Sequence, residues 1–167
     1  VLPDETASQR VGLALASVVE RERAAVEHLG LVVTLAGDLG AGKTTVVRAW
    51  LRALGIQGPI KSPTFAVLEP YVISRLDFYH FDFYRFKSSD EFPGSGFRDH
   101  FGPARICAIE WPERGGERLP TPDLSLALHV QSEGRQLRCS AYSELGVQCL
   151  NTIATMLARP PDPIGGG

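Results

Sequence analysis

Nine residues constrain this chain more than any others: Gly37-Asp38-Leu39-Gly40-Ala41-Gly42-Lys43-Thr44-Thr45. The first eight satisfy GxxxxGK[ST], a loop whose backbone N–H groups can surround phosphate oxygens. That meaning holds only between a strand and a helix, and both flanks qualify. Leu31 to Ala36 is a short Val- and Leu-rich run, too brief for a helix and followed at once by glycines, so it reads as a buried strand. Val46, Val47, Trp50, Leu51 and Leu54 recur at helical spacing, and Gly55 stands where a helix takes a left-handed C′ residue.

Each part of the loop has a physical task. The glycines permit backbone angles and a close approach that bring N–H groups onto phosphate, and the following helix presents its positive end. Lys43 is placed to reach the β- and γ-phosphates of a nucleoside triphosphate, and the Thr44 hydroxyl to meet Mg²⁺. Such a site also needs an acid at the end of a neighbouring strand. Ile106-Cys107-Ala108-Ile109-Glu110 supplies one, which makes Glu110 the metal-site candidate; read blandly, it is only the first polar residue after a strand.

Two further segments carry polar groups toward this loop. In His80-Phe81-Asp82-Phe83-Tyr84-Arg85 a period of two puts His80, Asp82 and Tyr84 on one face and Phe81, Phe83 and Arg85 on the other. Asp82 is then either a general base or water-orienting group, or a structural carboxylate. Pro63 stiffens Ser62-Pro63-Thr64, a hydroxyl-bearing loop that either senses a γ-phosphate or forms an ordinary turn. Trp111 reads as a packing aromatic beside Glu110.

The remaining chain is expected to give a helix from Thr6 to about His28, with Thr6 and Gln9 spaced as a capping box and a close near Gly30. The charged segment Glu20 to Glu27 reads as its solvated face. Short strands are expected over Ile60–Leu68, Tyr71–Leu76 and Asp77–Phe86, with a short helix and loops over Lys87–Pro103. A hairpin of Leu124–Val130 and Arg135–Ala141 turns at Glu133-Gly134, and a closing helix runs from Ser143 to Ala158. At 167 residues this fits one domain over residues 1–158, with the Pro/Gly-rich tail 159–167 disordered.

Composition narrows the function classes. A formal net charge of −2 and no evident basic patch argue against direct nucleic-acid binding. Three cysteines, without CxxC spacing, argue against a disulfide framework or zinc site and suit a reducing cytosol. No apolar run approaches the roughly 20 residues needed to span a bilayer, and the N-terminus lacks a signal-peptide layout. A cytoplasmic location, with no membrane partner, is expected.

Taken in order, Gly37 to Thr45, Lys61-Ser62-Pro63-Thr64-Phe65, Glu69-Pro70-Tyr71, His80 to Arg85 and Ile109-Glu110-Trp111-Pro112-Glu113 resemble the TsaE (YjeE) family of bacterial P-loop ATPases. That family acts in making threonylcarbamoyladenosine on tRNA. Weaker similarity extends to Leu2-Pro3-Asp4-Glu5 and to Gly134-Arg135. The resemblance implies an α/β fold of P-loop NTPase type, a three-layer sandwich whose mostly parallel central sheet carries antiparallel strands at its edge. It implies ATP/ADP and Mg²⁺ as ligands, metal coordination by Thr44 and Glu110, and an ATPase requirement for Asp82 and Lys43. Nucleotide contacts are implied for Gly37, Asp38, Leu39, Gly40, Ala41, Gly42, Lys43, Thr44 and Thr45, for Glu5 and Arg135 near the chain ends, and for Thr64 in a mobile loop. The implied partners are the TsaB and TsaD proteins, with tRNA met only through their complex.

The sequence departs from the family pattern at Glu20–Leu29, which is longer, at Asp90-Glu91-Phe92-Pro93, where a helix usually continues, and at Phe83, which replaces Leu. Two other readings of the same loop stay open: a small-molecule kinase, and a nucleotide-gated binding module without meaningful hydrolysis.

Overall fold

The computed structural model of the chain describes residues 1–87, 91 and 96–160. Its elements run α1 (Glu5–Arg21), α2 (Arg23–Leu29), β1 (Leu31–Gly37), α3 (Lys43–Ala53), β2 (Leu68–Ile73), β3 (Leu76–Asp82), β4 (Arg105–Glu110), β5 (Leu124–Val130), β6 (Arg135–Ala141) and α4 (Glu144–Ala158). The strands form one sheet in the order β2-β3-β4-β1-β5-β6. β3, β4, β1 and β5 run parallel, and β2 and β6 close the two edges antiparallel. This is the mixed α/β fold that the loop and its flanks call for.

Burial follows from this topology. The central strands are sealed on both faces, so β1 and β4 are nearly continuous in apolar residues, whereas edge strand β6 alternates between half-buried and exposed positions. On one face α1 packs against both α3 and α4, over a core that includes Leu15, Val33, Leu35, Trp50, Ile106 and Leu126. Trp50 of α3 meets Phe78 of β3 edge-on at 5.0 Å. The opposite face holds a smaller aromatic cluster of Phe81, Phe83, Phe86, Cys107 and Ile109. It is joined by Phe97, Phe101, Trp111 and Leu119 from connecting loops and 3₁₀ turns, so the two layers flanking the sheet are unequal.

Several expectations change in detail. The first helix is capped by Asp4, whose Oδ1 accepts from the Ala7 N–H at 2.8 Å, not by Thr6 and Gln9. The helix begins at Glu5, so Thr6 already lies within its first turn and Asp4, one position before the helix, holds the capping place. The helix also breaks at Glu22, giving α1 and α2 where one helix was expected; α2 closes at Gly30.

Of the strand expected over Ile60–Leu68 only Leu68 pairs, as the first residue of β2. Ile60 is buried, but the chain then turns on itself, with the Val67 N–H donating to the Pro63 carbonyl at 2.6 Å, and Phe65 left exposed. Pairing begins only at Leu68, and β2 and β3 meet in a hairpin across Ser74 and Arg75. The hairpin of β5 and β6 and the closing helix lie where expected, the latter capped by the Ser143 hydroxyl.

Within Lys87–Pro103 the described residues form a 3₁₀ turn at Phe97–His100. Three of the four residues of the departure at 90–93 lie outside the described residues, as does the tail from 161 onward. Among the described residues no helix is long and apolar enough to cross a membrane.

Candidate functional site

The parallel centre of the sheet brings three chain segments to one edge. Leu35 of β1 registers with Glu110 of β4, and Glu110 with Asp82 of β3. The carboxyl ends of β3, β4 and β1 therefore stand side by side, and β1 leads straight into the loop at 38–42. Open α/β sheets bind ligands at this edge of parallel strands.

Backbone geometry in the loop needs its glycines. Gly40 and Gly42 adopt φ of 77° and 102°, in the left-handed region, and Gly42 leads directly into α3. The first turn of α3 consequently faces the cleft with its free N–H groups.

Lys43, the first residue of α3, is only 4% exposed. Its Nζ donates to the carbonyls of Gly37 at 2.5 Å and Asp38 at 2.8 Å, and lies 4.1 Å from the Trp111 ring centroid. Burial lowers its pKa below the ordinary lysine value, while the carboxylates of Glu110, Glu113, Asp82 and Asp38 oppose that shift. Trp111, at φ 58° directly after β4, is thus a platform for the lysine as well as a packing aromatic.

Two carboxylates complete the floor. Glu110, 2% exposed, accepts from the Thr44 hydroxyl at 2.9 and 3.1 Å and faces His80 Nε2 at 2.8 Å. Asp82 has a different set of partners. Its Oδ2 accepts from the hydroxyls of Ser62 at 2.9 Å and Thr64 at 3.0 Å, and its Oδ1 from the Tyr84 N–H at 2.8 Å. Asp82 is therefore the anchor of the Ser62–Thr64 loop.

The N-terminal segment and the start of β6 close the opposite wall. Leu2 and Arg135 exchange backbone hydrogen bonds of 2.6 and 2.7 Å, which bring Glu5 at the start of α1 and Arg135 at the start of β6 to the cleft. Gly134 makes this bridge possible, because a Cβ there would run into the Leu2 carbonyl oxygen. The Arg135 Nε is buried without a hydrogen-bond partner among the described residues, and its Nη2 stands 3.5 Å from the Gly40 carbonyl.

These groups line one cleft of about 300 Å³. Glu5, Leu39, Gly40, Gly42, Lys43, Thr44, Thr45, Thr64, Asp82, Glu110 and Arg135 all border it. Gly37 and Asp38 sit behind Lys43, and Ala41 is buried. Sequence reasoning missed two residues. Ser8, whose buried hydroxyl has no partner among the described residues, lies one helical turn after Glu5 and could have been found by that spacing. His80 shares the polar face of β3 with Asp82, but its partner lies on another strand.

The comparison with known proteins is decisive for kinship. Residues 2–138 match the family described as threonylcarbamoyl adenosine biosynthesis protein TsaE. The chain belongs to the TsaE family. It is 35% identical over 153 residues to the tRNA threonylcarbamoyladenosine biosynthesis protein TsaE of Haemophilus influenzae, across 92% of this chain and 95% of the relative. The TsaE protein of Treponema pallidum is 40% identical over 107 residues, or 64% of this chain and 78% of that one. The crystal structure of YdiB from Bacillus subtilis shares the fold, with a TM-score of 0.68 at 23% identity, covering 91% of this chain and 90% of that one. The TsaE match takes in the whole cleft, including Arg135, and ends within β6, before α4.

Proposed function

We propose that the chain is a Mg²⁺-dependent ATPase of tRNA threonylcarbamoyladenosine biosynthesis, which binds the TsaB and TsaD proteins according to its nucleotide state and resets their complex between rounds. The observation that carries this reading is the contact of Thr44 with Glu110 beside the buried Lys43, at the mouth of a glycine loop. A hydroxyl and a carboxylate form a hard-oxygen pair of the type that Mg²⁺ accepts alongside water and phosphate. Among the described residues no group of three or more His, Cys, Asp or Glu side chains forms a cage, which fits an ion held jointly with a nucleotide.

The residues divide the work. The loop's N–H groups and the α3 N-terminus bind the phosphates, and Lys43 leaves its two carbonyls to reach the β- and γ-oxygens. Thr44 and Glu110 would hold Mg²⁺, which supplies charge neutralisation on the phosphate oxygens. Arg135, with its unpartnered Nε, and Glu5 contact the nucleotide from the opposite wall. Asp82 orients water for in-line attack on the γ-phosphoryl once Ser62 and Thr64 release Oδ2. In the arrangement described above that oxygen is fully engaged, so slow turnover by the chain alone, and activation when a partner moves the loop, are the expected behaviour.

One measurement tests this. Phosphate release from ATP is followed for the purified chain alone, then with TsaB, TsaD and tRNA. Slow turnover that accelerates with the partners is expected. Phosphorylation of a small metabolite with negligible hydrolysis would support a kinase instead, and repeated tRNA modification by a hydrolysis-dead chain would support a nucleotide-gated module.

A further inference from the structure

Behind Glu110 sits a buried side chain to which the function proposed above gives no task. His80 is fully buried, with Nε2 2.8 Å from Glu110 Oε1. In the parallel pairing of β3 and β4, His80 stands beside Ala108, two residues before Glu110, so the imidazole reaches diagonally along the sheet to the carboxylate. Diagonal neighbours on one face are within reach of such side chains.

One tautomer of the neutral ring can donate to Glu110. Nδ1 is buried and has no hydrogen-bond partner among the described residues. A proton on Nδ1 would be a buried donor with nothing to receive it, and would turn a bare lone pair of Nε2 toward a carboxylate oxygen. The proton therefore sits on Nε2 and is donated to Oε1.

Glu110 thus has two donors of different permanence. The Thr44 hydroxyl borders the open cleft, and on the proposed function its oxygen turns to the metal when nucleotide enters. His80 lines no part of the cleft and, among the described residues, has no other polar partner to turn to. We infer that His80 is a positioning residue of the Mg²⁺ site: its N–H pins Oε1 throughout the nucleotide cycle and leaves Oε2, which the Thr44 hydroxyl also reaches at 3.1 Å, for the ion or its waters. The inference rests on the proposed function. A hydrogen bond that orients a ligating group typically changes metal affinity by about 10–100-fold.

The test compares ATP affinity in Mg²⁺ with that in EDTA, by calorimetry, for three chains. His80→Gln carries an amide nitrogen about as far out as Nε2, while His80→Asn is equally polar but stops near Nδ1, short of Glu110. His80→Asn is expected to lower the Mg²⁺-to-EDTA affinity ratio by roughly tenfold or more, with His80→Gln close to wild type and all three alike in EDTA. Retention of the full ratio by His80→Asn, or equal loss in both variants, overturns the inference and leaves the ATPase reading standing. Absence of any Mg²⁺ preference in the wild type overturns the metal site itself. Should both variants fail to fold, nitrogen-15 spectra of the wild-type imidazole decide: the Nε2–H form is expected with and without Mg·ATP, and a shift of the proton to Nδ1 on addition contradicts it.

Discussion

The Thr44 hydroxyl lies 2.9 and 3.1 Å from the two carboxylate oxygens of Glu110, across 66 positions of sequence. Neither residue needs the other for packing; both meet because β4 lies next to β1 and α3 begins just past its end. Glu110→Gln keeps shape and removes charge. It is expected to lower the hydrolysis rate by about 100-fold or more while leaving nucleotide affinity in EDTA unchanged, as rates and calorimetry can establish. Unaltered hydrolysis would remove Glu110 from the metal site.

Asp82 makes a different kind of prediction, because its oxygens are taken by the 62–64 loop and the Tyr84 N–H. Hydrogen bonds to a buried carboxylate contribute about 1.5–3 kcal/mol. A double-mutant cycle of Asp82→Ala with Ser62→Ala, followed by urea unfolding, should show coupling of about 1–2 kcal/mol. Faster hydrogen exchange over 62–67 should accompany Asp82→Ala. Additive effects with unchanged exchange would mean that Asp82 does not hold the loop.

Lys43 sets a pH dependence. Burial lowers its pKa from the ordinary 10.5, so it loses its proton at a lower pH than a free lysine does. Between the lowered and ordinary values the unfolded chain holds the extra proton, and the folded state without nucleotide gains stability as pH rises. On the proposed function nucleotide binding uses the charged form, and it should weaken across the same alkaline interval. Both trends should vanish in Lys43→Met, measured as the difference from wild type in urea midpoint and ATP affinity between neutral and alkaline pH.

Gly134 tests the wall built from the N-terminal segment and the start of β6. A Cβ at this position meets the Leu2 carbonyl, and φ is 76°, so Gly134→Ala should break the Leu2–Arg135 bridge. Weaker ATP binding by about tenfold is expected, since Arg135 is displaced along with Glu5. Normal affinity would show that neither residue contributes.

What the sequence makes legible is local. Gly37 to Thr45 declares the loop because its glycines, its lysine and its flanking periods are all read within 25 residues. The edge hairpin is legible for the same reason, from alternation and Glu133-Gly134. Glu110 and Asp82 are visible as acids at strand ends, but their register is a property of the parallel pairing of β3 with β4, which one chain does not display. Ile60–Leu68 misleads because its apolar residues serve a turn: Ile60 is buried, Phe65 is exposed, and Pro63 accepts the bond that closes the loop. Thr6 misleads because Asp4 competes for the same orphan N–H groups, and His80 stays silent because its only partner lies 30 residues away.

The most direct test of the ATP-binding role proposed for the cleft is equilibrium binding of ATP to the purified wild-type chain, in Mg²⁺ and in EDTA, with phosphate assayed in both. Binding that Mg²⁺ tightens by roughly tenfold or more, with phosphate released only in Mg²⁺, is the expected result. Equal affinity in the two buffers, or no ATP binding at all, would contradict the assignment of Lys43, Thr44 and Glu110 to one nucleotide–metal site.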